Sequence, residues 1–313
     1  GGGKSSTLNI SIKAKNLKSA EQLLASNIDR YPNYNHMQII ILGEELCRNG
    51  IEKYMDFFFR NPQSRRLTQI AVSEGLAKDI FEFNPKTSKS TAQYLGSIIK
   101  ENNKYSLQIT SYVDLAILEQ DFARKSDFTL AKVTMDKKAI KMQGAGIFKN
   151  GKMVGWLGQD EIAAVKWIRN EIKQGVFNIT IPEKMGGEAA MQILNSNTKI
   201  KPNIKDDKLI FDVKINLEED IAELETLNVI AFKKDFIDLV EKETEQQIKN
   251  MCKRTFKKIR DSHSADIFEF DRKVEVYHPK FWAENKKEWT EYYKNAEINV
   301  QVNANVRRMG LIK

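Results

Sequence analysis

From Ile298 to Val306 the chain alternates without interruption, with Ile298, Val300, Val302, Ala304 and Val306 on one side and Asn299, Gln301, Asn303 and Asn305 on the other. Successive side chains of a strand leave opposite faces, so a run of this kind reads as a strand with one face in a core and the other in water. A single buried face needs a cover, and the pattern predicts an antiparallel sheet with helices on one side only. Further strands are expected at Val176 to Ile181, Ala189 to Ile204 and Leu209 to Leu217. A helix from about Phe232 to Arg260 carries Phe236, Leu239, Val240, Ile248, Met251 and Phe256 at helical spacing and can supply the cover.

A second strong local signal lies at Gly144 to Leu157, where Asn150-Gly151 separates two apolar, alternating segments. Asn-Gly tolerates the positive φ of a type I′ turn, so a hairpin is expected here. The stripe Ile162, Val165, Trp167, Ile168 and Ile172 then predicts a helix over Asp160 to Ile172. Toward the N-terminus, strand and helix signals alternate. Leu8, Ile10 and Ile12 read as a half-exposed strand, and a helix capped by Ser19 follows with Ala20, Leu23, Leu24 and Ile28 on one face. Gln38 to Leu42 and Gln69 to Val72 read as strands, with Ile51, Tyr54, Met55, Phe58 and Phe59 on a helix between them. Beyond the turn-rich break Asn84 to Ser88 come helices near Thr91 to Lys100 and Tyr112 to Ala123 and a strand at Leu130 to Thr134.

A chain of 313 residues exceeds the size at which one core usually stops growing. The expectation is an α/β (α+β) protein of three domains with mixed and antiparallel sheets flanked by helices. They are an N-terminal α/β domain at 1–85, a middle domain at 86–174 holding the 144–157 hairpin, and a C-terminal antiparallel sheet with long helices at 175–313. Apolar runs such as Met37 to Leu42 fall far short of the roughly 20 residues that cross a bilayer. The opening Gly1-Gly2-Gly3-Lys4-Ser5-Ser6 does not read as a signal peptide.

The chemical motifs are sparse. Gly3-Lys4-Ser5 resembles the end of a phosphate loop, but a strand pattern follows where that loop needs a helix. His36, His263 and His278 stand apart, and Cys47 and Cys252 lack metal-ligand spacing and read as buried thiols. The acidic groups Glu44-Glu45, Asp160-Glu161 and Glu218-Glu219-Asp220 are assigned to helix starts or loops, where carboxylates suit the positive end of the helix dipole. No catalytic residue, metal site or cofactor site is expected. The net charge of +8 favours an anionic neighbour of some kind. Its densest expression is Lys249, Lys253, Arg254, Lys257, Lys258 and Arg260, which read either as a solvated helix face or as a patch for an anionic membrane or acidic partner. Phe281, Trp282, Trp289, Tyr292 and Tyr293 form an aromatic cluster whose two tryptophans, seven apart, share a helical face and suit packing on a sheet.

Several segments, in this order, resemble the C subunit of bacterial spore germinant receptors, the GerAC-like lipoprotein family. They are His36 to Glu45 (HMQIIILGEE), Tyr54 to Arg60 (YMDFFFR), Gly146 to Leu157 (GIFKNGKMVGWL), Asp266-Ile267 ahead of Phe281-Trp282 and Trp289, and Val302 to Leu311 with Arg307-Arg308-Met309-Gly310-Leu311. The resemblance implies a non-enzymatic lipoprotein on the outer face of the spore's inner membrane. It would be held by a lipid on an upstream cysteine and act with integral-membrane A and B subunits to trigger germination in response to nutrients. Neither Cys47 nor Cys252 has lipobox context. The competing readings are a small-molecule sensor or enzyme with a site between domains and a basic nucleic-acid binder; the resemblance implies no nucleic-acid partner.

Overall fold

In the computed structural model the described residues are 7–29, 31–101, 105–136, 139–183, 187–206, 208–225 and 234–309. They form two compact units, one of residues 1–102 and 111–156 and the other of residues 103–110 and 157–313. The first unit runs α1 (Leu17–Ala25), β1 (Ile39–Gly43), α2 (Glu44–Asn49), α3 (Glu52–Arg60), β2 (Gln69–Ser73), α4 (Ala77–Phe81), α5 (Thr91–Glu101), α6 (Leu115–Arg124), β3 (Phe128–Asp136), β4 (Ala139–Lys149) and β5 (Lys152–Leu157). Its five strands lie in the order β1-β2-β3-β4-β5. The first three are parallel, and β4 returns antiparallel to β3. Parallel strands buried on both faces read as unbroken apolar runs, which is why β1 is Ile-Ile-Ile-Leu and β2 is buried at every position. Alternate residues serve opposite cores. Ile40, Leu42, Ile70 and Val72 pack with Cys47, Ile51, Met55 and Leu118 from α2, α3 and α6 and their connections. Ile39, Ala71, Ala131 and Val133 pack with Ile80, Leu95 and Ile99 from α4 and α5.

The β4–β5 turn holds Asn150 at φ 50° and Gly151 at φ 71°, as a type I′ bend requires. Gly151 is also needed for space: a Cβ there would sit 3.0 Å from the Phe122 ring, while its carbonyl accepts the Ile51 N–H at 3.0 Å.

The second unit runs α7 (Gln159–Ile168), β6 (Gly175–Thr180), β7 (Glu188–Lys205), β8 (Lys208–Leu224), α8 (Lys234–His263), α9 (Phe270–Tyr277), α10 (Pro279–Asn285), α11 (Trp289–Lys294) and β9 (Glu297–Met309), with sheet order β6-β7-β8-β9. One face of the sheet is buried, with Phe211 of β8 stacked on Phe270 of α9 at 4.0 Å. Phe256 of α8 meets the rings of Phe268, Phe270 and Tyr293 at 5.7 to 6.0 Å. The other face is polar, and Asn303 donates to Asn216 across it at 2.8 Å. Lys166 of α7 is buried and donates to the carbonyls of Ser106 at 2.7 Å and Ile109 at 3.2 Å, which fastens residues 105–110 to this unit.

The α+β class and helix-flanked sheets are as expected, with several differences in detail. The C-terminal sheet is mixed, because β9 runs parallel to β8. Alternation reports which face is buried and not strand direction; the helices α8 to α11 form a crossover that brings the chain back to pair in parallel. The expected boundary at 85/86 crosses one sheet, since β2 pairs with β3. Residues 7–14 take no regular structure and Leu8 is 77% exposed, so the alternation there has no strand to pair with among the described residues. Helix α1 is capped by Asn16, whose side chain accepts the Ser19 N–H at 2.8 Å. Gly3-Lys4-Ser5, Phe232 and Gly310-Leu311 lie outside the described residues.

Candidate functional site

Helix α8 is sorted by face. Phe236, Val240, Thr244, Ile248, Cys252, Phe256 and Ile259 recur every three or four residues and are buried. Beside this stripe, the Glu241 carboxylate accepts the Val306 N–H at 2.8 Å and the Glu245 carboxylate accepts the Ala304 N–H at 3.0 Å. Those amides lie on β9, the edge strand of its sheet, whose outward N–H groups would otherwise offer a template for pairing.

The six basic residues singled out in the sequence divide here. Lys258 makes an ion pair with Glu161 of α7. Arg260 donates to the Ala296 carbonyl at 2.6 Å, pairs with Asp261 at 2.8 Å and lies 5.5 Å over the Phe256 ring. These two are spent on the fold. Lys253, Arg254 and Lys257 are exposed and Lys249 is half-buried, and none of the four has an ion-pair partner among the described residues. Lys249, Lys253 and Lys257 follow at intervals of four, forming one stripe about 12 Å long with Arg254 beside it. Burial pushes His263 below its ordinary range and nearby Lys258 adds to the effect, with Glu161 opposing it.

The described residues contain no group of three or more His, Cys, Asp or Glu placed to hold a metal ion. His278 bonds the Pro202 carbonyl through Nε2 at 3.0 Å. Both cysteines are free and buried; burial raises Cys47 to about 12 and also raises Cys252, which keeps both as unreactive thiols. The aromatic cluster lies not on one helix but on two, α10 and α11, joined by the 3₁₀ turn Lys286–Glu288, and its rings pack on one another. There Trp282 meets Trp289 at 5.4 Å and Phe281 meets Tyr292 at 5.0 Å.

Glu44-Glu45 and Asp160-Glu161 open α2 and α7 as expected, whereas Glu218 to Asp220 lie in β8. There Glu219 is wholly buried, and neither carboxyl oxygen has a hydrogen-bond partner among the described residues. Burial raises it to about 7; the Thr244 hydroxyl favours the ionised form, and Glu241 and Glu245 oppose it. A signal was available, since Ile215, Leu217, Glu219 and Ile221 share one parity and therefore one face. Buried Lys166, brought to about 8 mainly by burial, was also missed, although it sits in the apolar run Ile-Ala-Ala-Val-Lys-Trp-Ile.

Residues 143–310 match the protein-family model described as Spore germination B3/GerAC like, C-terminal. Residues 1–135 match that described as Spore germination protein N-terminal domain. The gap between the two falls within the β3–β4 region of the first unit, so the division between family models is not the division between compact units. Spore germination protein YndF of Bacillus subtilis (strain 168) is 26% identical over 100% of this chain and 77% of its own length. Spore germination protein B3 of the same organism is 24% identical over 99% of this chain and 83% of its own. The crystal structure of the GerBC protein superposes with a TM-score of 0.74 over 91% of this chain and 82% of that one. At 22% identity the superposition speaks to fold alone.

Proposed function

The chain belongs to the GerAC-like family of spore germination proteins, and from that membership we propose that it is the non-catalytic C-type lipoprotein subunit of a nutrient germinant receptor. In this reading it acts with integral-membrane A and B subunits on the outer face of the spore's inner membrane, tethered by a lipid on a cysteine outside these residues. The observation that carries the reading is the match to both germination-family models in sequence order along the chain. Two structural features agree with it. No helix among the described residues is long and apolar enough to cross a membrane, which suits a subunit that depends on partners or a lipid for attachment. The unpaired stripe Lys249, Lys253 and Lys257, with Arg254, gives an anionic surface something to meet.

The test is crosslinking in intact spores followed by purification of this chain from the inner membrane. Recovery of A- and B-type membrane subunits is expected, and their absence would refute the assignment. The contribution of the α8 face is read by vesicle flotation. Each cation near anionic lipid contributes about 1 kcal/mol, so replacing all four by Gln should weaken binding to phosphatidylserine vesicles by roughly a hundredfold or more. Equal flotation of both proteins would show that this face does not meet lipid.

A further inference from the structure

Between α1 and the length of α3, reaching Asn61 to Gln63 beyond it, lies a groove of about 780 Å³, within the size range of small-molecule sites. We propose that it binds an organic anion carried on a flat apolar body. Its carboxylates are already engaged. Glu21, only 4% exposed, accepts from Lys18 Nζ at 2.6 Å and from the Tyr31 hydroxyl at 3.3 Å. Asp56 accepts from Arg60 Nε at 2.8 Å. Two cations remain. Neither Lys15 nor Lys53 has an ion-pair partner among the described residues, and the Lys53 ammonium lies 4.7 Å above the centre of the Tyr54 ring.

The neutralised pairs leave the lining with an excess of positive charge, so a cationic ligand has no free carboxylate to meet. Leu17, Tyr54 and Phe57 add apolar surface beside the two ammonium groups. A bare inorganic anion would leave that surface uncovered, and a neutral apolar molecule would leave both cations without an anionic partner. A carboxylate or sulfonate on a ring system satisfies both. Tyr31 is 61% exposed at the rim and its ring is available to a ligand while its hydroxyl stays on Glu21.

Anilinonaphthalene sulfonate is the anionic probe and N-phenyl-1-naphthylamine its neutral counterpart, each titrated by fluorescence into the full chain. Lys15→Gln with Lys53→Gln should weaken the sulfonate about tenfold or more and leave the neutral probe unchanged, since only the sulfonate carries a charge for the two ammonium groups to meet. Tyr54→Ala, shown to be folded by circular dichroism, should weaken both probes. Unchanged sulfonate affinity in the double lysine variant overturns the proposal. So does loss of that affinity on replacing Lys249, Lys253 and Lys257 instead, which would place the probe on α8. Neither result bears on crosslinking to the membrane subunits, so this site and the receptor assignment fail separately.

Discussion

Glu219 gives the second unit a pH dependence that one substitution should remove. Its register neighbours on the flanking strands are the apolar Ile193 and Val306, and Thr244, Glu241 and Glu245 of α8 form its polar surroundings. Unfolding returns the carboxyl to its ordinary value of 4.5, against about 7 in the fold. Between those values the folded chain holds a proton that the unfolded chain releases. Stability from this group is therefore complete below pH 4.5 and is lost as pH rises through 7. At about 1.4 kcal/mol for each tenfold change in proton concentration, the interval sets a ceiling of about 3 kcal/mol. Glu219→Gln is neutral at every pH and lacks this slope, whatever its absolute stability. Urea unfolding followed by tryptophan fluorescence suits the measurement, because Trp167, Trp282 and Trp289 lie in the second unit. From pH 5 to pH 8 the wild-type midpoint should fall relative to the variant by about 1 to 2 M urea, at a slope of about 2 kcal/mol per molar. Parallel pH curves for the two proteins would refute the reasoning, since they would mean that Glu219 titrates alike in both states.

Lys166 predicts the opposite slope. Its ammonium is brought to about 8, so the unfolded chain holds the extra proton above that pH and stability should rise from pH 8 to pH 10; urea midpoints for Lys166→Met should lack the rise. Gly151→Ala meets the Phe122 ring and a positive φ together, and should lower stability by about 1 to 2 kcal/mol in a denaturant titration; no loss would mean that the turn relaxes freely. Removing both carboxylates that hold β9, as Glu241→Ala with Glu245→Ala, should speed hydrogen exchange at Ala304 and Val306 by about tenfold or more, while amides of β7 keep their protection.

How legible the chain was depends on what each pattern encodes. Strand parity located β7, β8 and β9, because a one-face burial pattern is local and repeats every two residues. Strand direction was not local: β9 is parallel only because a helical crossover separates it from β8, and nothing within Ile298 to Val306 states that. The Asn150-Gly151 turn was readable for the complementary reason, since its two positive φ values are demanded by the residues themselves. Residues 7–14 show the limit of alternation, which marks an amphipathic segment but supplies no neighbouring strand. The domain limits failed to align with the sheet because β1 and β2 find their partner β3 across the turn-rich segment Asn84 to Ser88. Within the candidate site, the six basic residues were visible as a cluster, but their division into four free and two engaged depended on where Glu161 and Ala296 lie.

That division also separates two physical explanations for the charge on α8. Cations near a helix C-terminus are favoured by the helix dipole, but the effect falls off within the last turn. Arg260 is within reach of that field at the His263 end. Lys249 and Lys253 are not, since they stand about three to four turns upstream at 3.6 residues per turn. Ion pairing does not account for them either, because Glu245, four residues before Lys249, turns toward the Ala304 amide of β9, and Lys253 has no acidic residue three or four positions away on the helix. With dipole and pairing set aside, the stripe is either solvated or matched to an external anion. The two differ in their salt response. A solvated stripe leaves vesicle association indifferent to ionic strength, whereas four cations meeting anionic lipid weaken steeply as the Debye length shrinks from about 10 Å at 0.1 M salt to about 3 Å at 1 M.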